Sequence, residues 1–342
     1  MRVLVVTNMY PTEANPQFGI FVKEQVESLR ALGVDIDVLF VNAKEGRWRR
    51  KAYPLGFPRL WSALRRQRYD VIHAHYIFAA LIARAQWQAP LVVTHHGPEL
   101  HARAQGPLCR WTRGIADEVI VVANWMVPEL GAPGAHVIPC GVNLNLFQPL
   151  PQAEARAALR LPLDRRYVLF AGNYENPRKR FHLVQDAVER LRSRHPDVEL
   201  LTVARQPHEI IPLYMNAADV FAMTSTDEGS AQVVKESMAC GLPVVATDAG
   251  DNWDVIDGTP GCYRVGPDPA EIAVRLEEAI TPPRRTDGPA RVTRFCLERV
   301  AREVLAVYQQ ARTARRTASR PSARQRDAGQ RAARQQRYRA SR

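Results

Sequence analysis

Thr226-Asp227-Glu228-Gly229-Ser230-Ala231-Gln232-Val233-Val234-Lys235-Glu236 runs directly into Ser237-Met238-Ala239-Cys240-Gly241-Leu242-Pro243-Val244-Val245-Ala246-Thr247. The string reads as a loop, a short helix and a buried strand, entered from the apolar run Asp219–Met223. Ser230 is a residue type suited to the helix N-cap, Gly241 to its end, and Pro243 cannot continue it. Glu228 then lies in the loop and Glu236 about two turns into the helix. Between them stand a glycine, two small residues and the free amides of a helix N-terminus, an arrangement suited to an anion such as a diphosphate. A carboxylate on either side of that anion would grip hydroxyl-rich groups. An acidic turn capping an ordinary helix is the plain alternative.

The full string, Glu-Gly-x6-Glu-Ser-Met-Ala-Cys-Gly-Leu-Pro-Val-Val-Ala, resembles the donor signature of the family-4 retaining glycosyltransferases, which have the GT-B fold. The resemblance implies that Glu228 lies by the donor sugar and that Glu236 hydrogen-bonds the nucleotide ribose. The aromatic-glycine pair usual in that family is Ser230-Ala231 here, so the contacts to the donor sugar are expected to differ.

With 342 residues, nearly half of them apolar, the chain can bury a sizeable core and suggests two domains. No apolar run reaches the length of a membrane-spanning helix. The N-terminus enters a strand-like segment at once, so no signal peptide is expected. Five scattered cysteines without a Cys-x-x-Cys point to reduced thiols and a cytoplasmic protein. The net charge of +12 is uneven, because Arg312 to Arg342 holds eleven Arg and one Asp. That tail has almost no large apolar residue and is expected to be disordered, whether as a solvated appendage or as a segment that meets nucleic acid or anionic lipid.

Strand and helix patterns alternate through both halves. Arg2–Asn8, Val34–Val41, Val71–His75, Leu91–His95, Glu118–Ala123 and His136–Pro139 read as strands of the first half. After an irregular connection from Gly141 to Pro149, Tyr167–Ala171, Val198–Val203, Asp219–Met223, the strand at Val244 and Gly261–Val265 repeat the rhythm. The expected fold is α/β, with two Rossmann-like doubly wound domains and an interdomain cleft. Residues 1–150 would form the acceptor-side domain and 151–290 the nucleotide-sugar domain. A helix from Val292 to about Gln310, within 291–311, would cross back to the first domain, and 312–342 would be the tail.

Gly172-Asn173-Tyr174-Glu175-Asn176-Pro177-Arg178-Lys179-Arg180 opens a helix with three consecutive cations, which the helix dipole disfavours unless an anion joins them. The resemblance places Lys179 on the donor diphosphate and leaves Asn173 where the family has an Arg. Arg178, Arg180 or Arg205 is expected to supply the missing charge, against the alternative of a solvated basic turn. In Met9 to Gly19, joining the first strand to the first helix, Gly19 matches the glycine that lets backbone approach phosphate. Val92-Val93-Thr94-His95-His96-Gly97-Pro98-Glu99 resembles the family's Thr-x-His-Gly-x-Asp/Glu segment, which puts His96 by the transferred sugar, makes Glu99 an acceptor-side acid and leaves His95 as a packed neighbour.

The expected activity is transfer of a sugar, with retention, from a nucleoside-diphosphate sugar to a hydroxyl acceptor. The acceptor is expected to be a lipid-linked or polysaccharide precursor. His96 and Glu228 are the catalytic candidates. Gly19, Asn173, Arg178, Lys179, Gly229, Ser230, Ala231, Gln232 and Glu236 are the donor-binding candidates, and Glu99 lies on the acceptor side. No cofactor, metal or specific nucleic acid is expected. Tryptophan interleaved with cations over Gly46 to Arg68 suits an anionic membrane surface, with a solvated helix as the even competitor. His73, His75, His95 and His96 leave a metal-dependent hydrolase as a rival reading. A non-catalytic protein that binds nucleic acid or membrane through the Arg-rich tail is the other.

Overall fold

The computed structural model describes residues 1–45 and 49–318. Runs of apolar residues too continuous for a one-sided sheet become parallel strands covered on both faces. The first sheet holds β1 (Arg2–Thr7), β2 (Asp35–Phe40), β3 (Val71–His75), β4 (Leu91–His95), β5 (Glu118–Val121) and β6 (His136–Val137), in the order β2-β1-β3-β4-β5-β6. The second holds β7 (Arg166–Ala171), β8 (Val198–Val203), β9 (Val220–Met223), β10 (Val244–Thr247) and β11 (Tyr263–Val265), in the order β11-β10-β9-β7-β8. Every named strand pair is parallel. These are two Rossmann-like halves.

In both sheets the chain visits one side of its first strand and then turns to the other. The crossover points lie between β1 and β3 and between β7 and β9. Parallel α/β sheets bind ligands beyond the carboxyl ends of the strands at such points. The loops after β1, β3 and β4 in one lobe, and after β7 and β9 in the other, therefore frame one cleft.

Helices cover both faces of each sheet. The helix Ile20–Ala31 packs Val22, Val26 and Leu29 against Val3 and Val5, while Leu60 of the helix Ala52–Arg66 lies on the opposite face with Leu4 and Ile72. The final helix starts later than its periodicity suggests. Val292–Phe295 is a 3-10 turn, Cys296 is extended, and the α-helix runs from Leu297 to Ala318. The break arises because the strand-like link through Val142 hydrogen-bonds the carbonyl of Phe295, so the two lobe-to-lobe crossings run side by side.

The same helix places Val300, Val304 and Tyr308 in the core of the first lobe. It also extends beyond residue 311, where a disordered tail was expected to begin. Arg312 pairs with Asp70 at 3.0 Å and Arg315 with Asp117 at 3.6 Å, so partners on the first lobe hold this last turn in place. The rest of the Arg-rich tail, 319–342, lies outside the described residues, as do Gly46, Arg47 and Trp48 of the Trp-Arg segment. Of that segment, the helix Ala52–Arg66 leaves Leu55 and Trp61 exposed. Among the described residues no helix is long and apolar enough to cross a membrane.

Candidate functional site

A cleft of about 800 Å³ opens between the lobes, with Asn8, His96 and Glu99 on one wall and Lys179, Glu228 and Gln232 on the other. It continues into a smaller recess of about 190 Å³ floored by Glu236 and His208. Lys179, Gln232 and Val233 line both, so the two spaces form one elongated site.

The loop after β9 is more constrained than its sequence suggests. Ser230 is not the N-cap; Ala231 holds that position in extended conformation and the helix spans Gln232–Ala239. Ser230 donates its hydroxyl to Asp251 Oδ2 at 2.8 Å and accepts from the Lys235 ammonium and, at 3.3 Å, from the amide of Cys140. Its one proton and both lone pairs are thus engaged within the protein. The Ala231 amide is likewise donated to Asp251 Oδ1, at 3.1 Å. Of the amides proposed for an anion, that of Ala231 is therefore taken. The helix start has no side-chain cap, which leaves the amides of Gln232 and Val233 as its N-terminal donors. The helix begins one residue later than read, and Glu236, four residues after Gln232, lies only about one turn in.

Lys235 and Asp251 form a pair at 2.8 Å beneath this loop, the lysine fully buried and 5.0 Å from the Phe295 ring. Lys235 directly follows Val233-Val234 and precedes Glu236, so local order gives no sign of its burial, and its partner Asp251 lies in a later loop.

Lys179 sits at the junction of the two spaces with its Nζ 2.6 Å from Glu228 Oε1. Of the three arginines offered for the missing charge, Arg178 lines the cleft. Arg180 instead ties down the β9 loop, donating to the carbonyls of Thr224 and Ser225, and Arg205 pairs with Glu175. Asn173 is exposed, accepts from the Glu175 amide, and is not among the residues lining the cleft. Gly19 has φ 74°, and a Cβ there would overlap the backbone of Met9. This explains the glycine by close approach of two backbone segments.

Glu236 is buried beside His208, whose Nε2 lies 3.8 Å from Glu236 and 3.6 Å from Glu24 of the other lobe. Burial pushes the Glu236 carboxyl up to about 7; His208 opposes the rise and Glu24 adds to it. For His208, burial disfavours the imidazolium, but Glu24, Glu236 and Glu209 together outweigh it and raise its pKa. Neither Glu24 nor His208 was singled out from sequence.

On the opposite wall, His96 follows β4 and lines the cleft. Burial and the neighbouring His75 bring its pKa down to about 3, so the ring is neutral at ordinary pH. Glu99 lies beneath it, 2% exposed, accepting the His96 amide at 2.7 Å and standing 3.6 Å from His95. His95 is fully buried and bonds Thr112 at 2.9 Å. His73 has both ring nitrogens on hydroxyls, those of Tyr308 and Thr94. Among the described residues no group of three or more His, Cys, Asp or Glu side chains is placed to hold a metal.

The lobes touch at the cleft. Gln17 donates to the carbonyl of Gln206 at 2.7 Å, Gln232 to that of Gly141 at 3.0 Å, and His101 meets Asp227 at 3.1 Å.

Two family models match, Glycosyltransferase Family 4 over residues 2–146 and Glycosyl transferases group 1 over 207–281. A Bacillus subtilis (strain 168) protein assigned to teichuronic acid biosynthesis as the glycosyltransferase TuaC is 27% identical over 318 residues, spanning 73% of this chain and 82% of its own length. A D-inositol 3-phosphate glycosyltransferase of Streptosporangium roseum is 31% identical over 282 residues, with 65% and 64% covered. Among solved structures, a sucrose-phosphate synthase from Thermosynechococcus elongatus superposes with a TM-score of 0.75 over 92% of this chain and 99% of its own, at 23% identity. HepE of Anabaena, solved with UDP-glucose, gives 0.69 over 91% and 100%, at 18% identity. At these identities the structural likeness speaks for the fold.

Proposed function

Because the chain belongs to the family-4 glycosyltransferases of the GT-B fold, we propose that it moves a sugar from a nucleoside-diphosphate sugar to a hydroxyl acceptor with retention of configuration. One observation carries this reading. Glu228, Lys179, the uncapped helix start at Gln232 and Glu236 follow one another along a single cleft, an order that suits a ligand made of sugar, diphosphate and ribose. HepE solved with UDP-glucose supports a nucleotide-sugar as the ligand class.

In this reading Glu228 holds the sugar and Glu236 the ribose. Lys179, Arg178 and the amides of Gln232 and Val233 meet the charge that grows on the departing diphosphate, and no metal is required for that task. The acceptor oxygen attacks the anomeric carbon from the face that the diphosphate leaves. The bond from that carbon to the phosphate oxygen breaks, and the acceptor proton passes to the leaving phosphate. His96 hydrogen-bonds the sugar from the opposite wall. Closure of the lobes excludes water that would otherwise hydrolyse the donor.

The acceptor is proposed to be a lipid-linked or polysaccharide precursor, in keeping with the teichuronic acid assignment of the Bacillus relative. Exposed Leu55, Trp61 and Trp87, with Arg84 stacked 4.7 Å over Trp87, suit contact with an anionic membrane surface.

Thermal unfolding with UDP-, GDP- and ADP-sugars tests the donor class directly. One nucleotide series should raise the transition and then support transfer to an added acceptor extract. No stabilisation by any of them would overturn the proposal.

A further inference from the structure

One buried cluster spans the two lobes at the end of the cleft proposed for the ribose. Glu24 belongs to the helix Ile20–Ala31 of the first lobe, and His208 opens a 3-10 turn of the second, His208–Ile210. His208 Nε2 lies 3.6 Å from Glu24 Oε1 and 3.8 Å from Glu236 Oε1, beyond a hydrogen bond to either. That nitrogen is buried and makes no hydrogen bond among the described residues. His208 and Glu236 both line the recess beside Lys179, so a ligand there meets them directly. The link between the lobes sets Phe147 edge-on to the imidazole at 5.1 Å, and Gln17 holds the carbonyl of Gln206 two residues upstream. The ring is thus fixed between two carboxylates, one from each lobe.

A bare lone pair on Nε2 would face two carboxylates at once, so the arrangement favours a proton there. Burial opposes the charged ring, but Glu24, Glu236 and Glu209 together raise the His208 pKa, in keeping with an imidazolium. Two lysines complete the charges around Glu236: Lys235 favours its ionised form, and Lys179 lines the same recess. The imidazolium is therefore shared between Glu24 and Glu236 and bonded fully to neither. Hydroxyls that donate to Glu236 satisfy that carboxylate and weaken its hold on His208. The Nε2–H then turns to Glu24, and a charge-assisted hydrogen bond joins the lobes. A ligand shifts an equilibrium only by what it gains in one state over the other. With the lobes apart His208 has no Glu24 to turn to, so this gain belongs to the closed arrangement alone.

We propose that Glu24 and His208 are positioning residues that tie closure of the lobes to an occupied ribose recess. The paired hydroxyls of a ribonucleotide, rather than its diphosphate, are the trigger. This rests on the reading of Glu236 as the ribose carboxylate, and it adds a first-lobe residue to the recognition of a donor otherwise held by the second lobe.

Single-molecule energy transfer between one dye on each lobe of the full-length protein reads closure directly. The probes are UDP, GDP and ADP, and the 2′,3′-dideoxy form of whichever binds, each at saturation. In wild type the ribonucleotide should raise the closed fraction. The dideoxy form, which keeps the diphosphate, should bind without that rise. Glu24→Gln and His208→Gln should each still bind the ribonucleotide, about tenfold more weakly, with the closed fraction unmoved. His208→Lys, which restores a cation between the carboxylates, should recover part of the response, a rescue that a merely structural role for the ring would not show. A closed fraction that rises equally with the dideoxy form, or that rises in the Gln variants as in wild type, would overturn the proposal and leave the reading of the cleft intact. Binding of none of the three ribonucleotides would end that reading and the proposal with it.

Discussion

Gly97 and Gly229 meet back to back across the cleft, so close that a Cβ on Gly97 would stand 2.5 Å from the Cα of Gly229. A Cβ on Gly229 would in turn overlap the carbonyl oxygen of His96. The loops bearing His96 and Glu228 can approach only because neither glycine has a side chain, and Gly97 further has φ 110°, a conformation that favours glycine. Gly229→Ala should wedge the lobes apart without disturbing either core. The expected result is a fall in kcat/KM of about a hundredfold, the scale of a 1 Å misplacement, with the unfolding temperature little changed. A wild-type rate in steady-state kinetics would show that the loops need not meet.

The raised carboxyl of Glu236 makes donor binding depend on pH. A carboxylate accepts from ribose hydroxyls better than a carboxylic acid, so donor affinity should rise as pH increases through about 7. Stability should move the opposite way. Because the folded protein holds the Glu236 proton more tightly than the unfolded chain, that contribution is full below 4.5 and is lost as pH rises through about 7. The raised pKa of His208 acts in the same direction, its contribution being full below 6.5 and lost as pH climbs through the raised value. Glu24, Glu209 and Lys235 set the field around the two groups. Titration calorimetry and melting curves of wild type and Glu236→Gln check both trends. The variant should flatten the pH profile of donor affinity, and a profile unchanged by it would refute the assignment.

Removing half of the buried Lys235–Asp251 pair should be costly. Asp251→Ala strands a fully buried ammonium and frees the Ser230 hydroxyl and Ala231 amide. Urea unfolding should show a loss of about 3–5 kcal/mol, and the double variant Lys235→Met/Asp251→Leu should regain much of it. Equal losses in the single and double variants would mean that the pair is not what holds the loop.

The strands were legible because buried parallel strands are unbroken apolar runs ended by polar or turn residues; β3, β4 and β8 have the ends read from sequence. The short helices Met126–Leu130, Gln152–Ala158 and Asn252–Ile256 were not read, since five to seven residues give periodicity too little length to declare itself. In the site, the residues of the Glu228–Glu236 string could be named from local order alone. Ser230 was misread as a cap because its partner Asp251 comes from another loop. Glu24 and His208 passed unnoticed for the same reason, each looking like an ordinary surface position until the lobes bring them together.

In the proposed complex an activated sugar places its diphosphate against Lys179 and the helix start at Gln232. Isothermal titration of UDP, GDP and ADP into wild type and Lys179→Ala tests it most directly. One of the three should bind the wild type with Kd on the order of micromolar, and Lys179→Ala should weaken it at least about tenfold, or ~1.4 kcal/mol. Equal affinity in the two proteins, or no binding of any nucleoside diphosphate, would contradict the account.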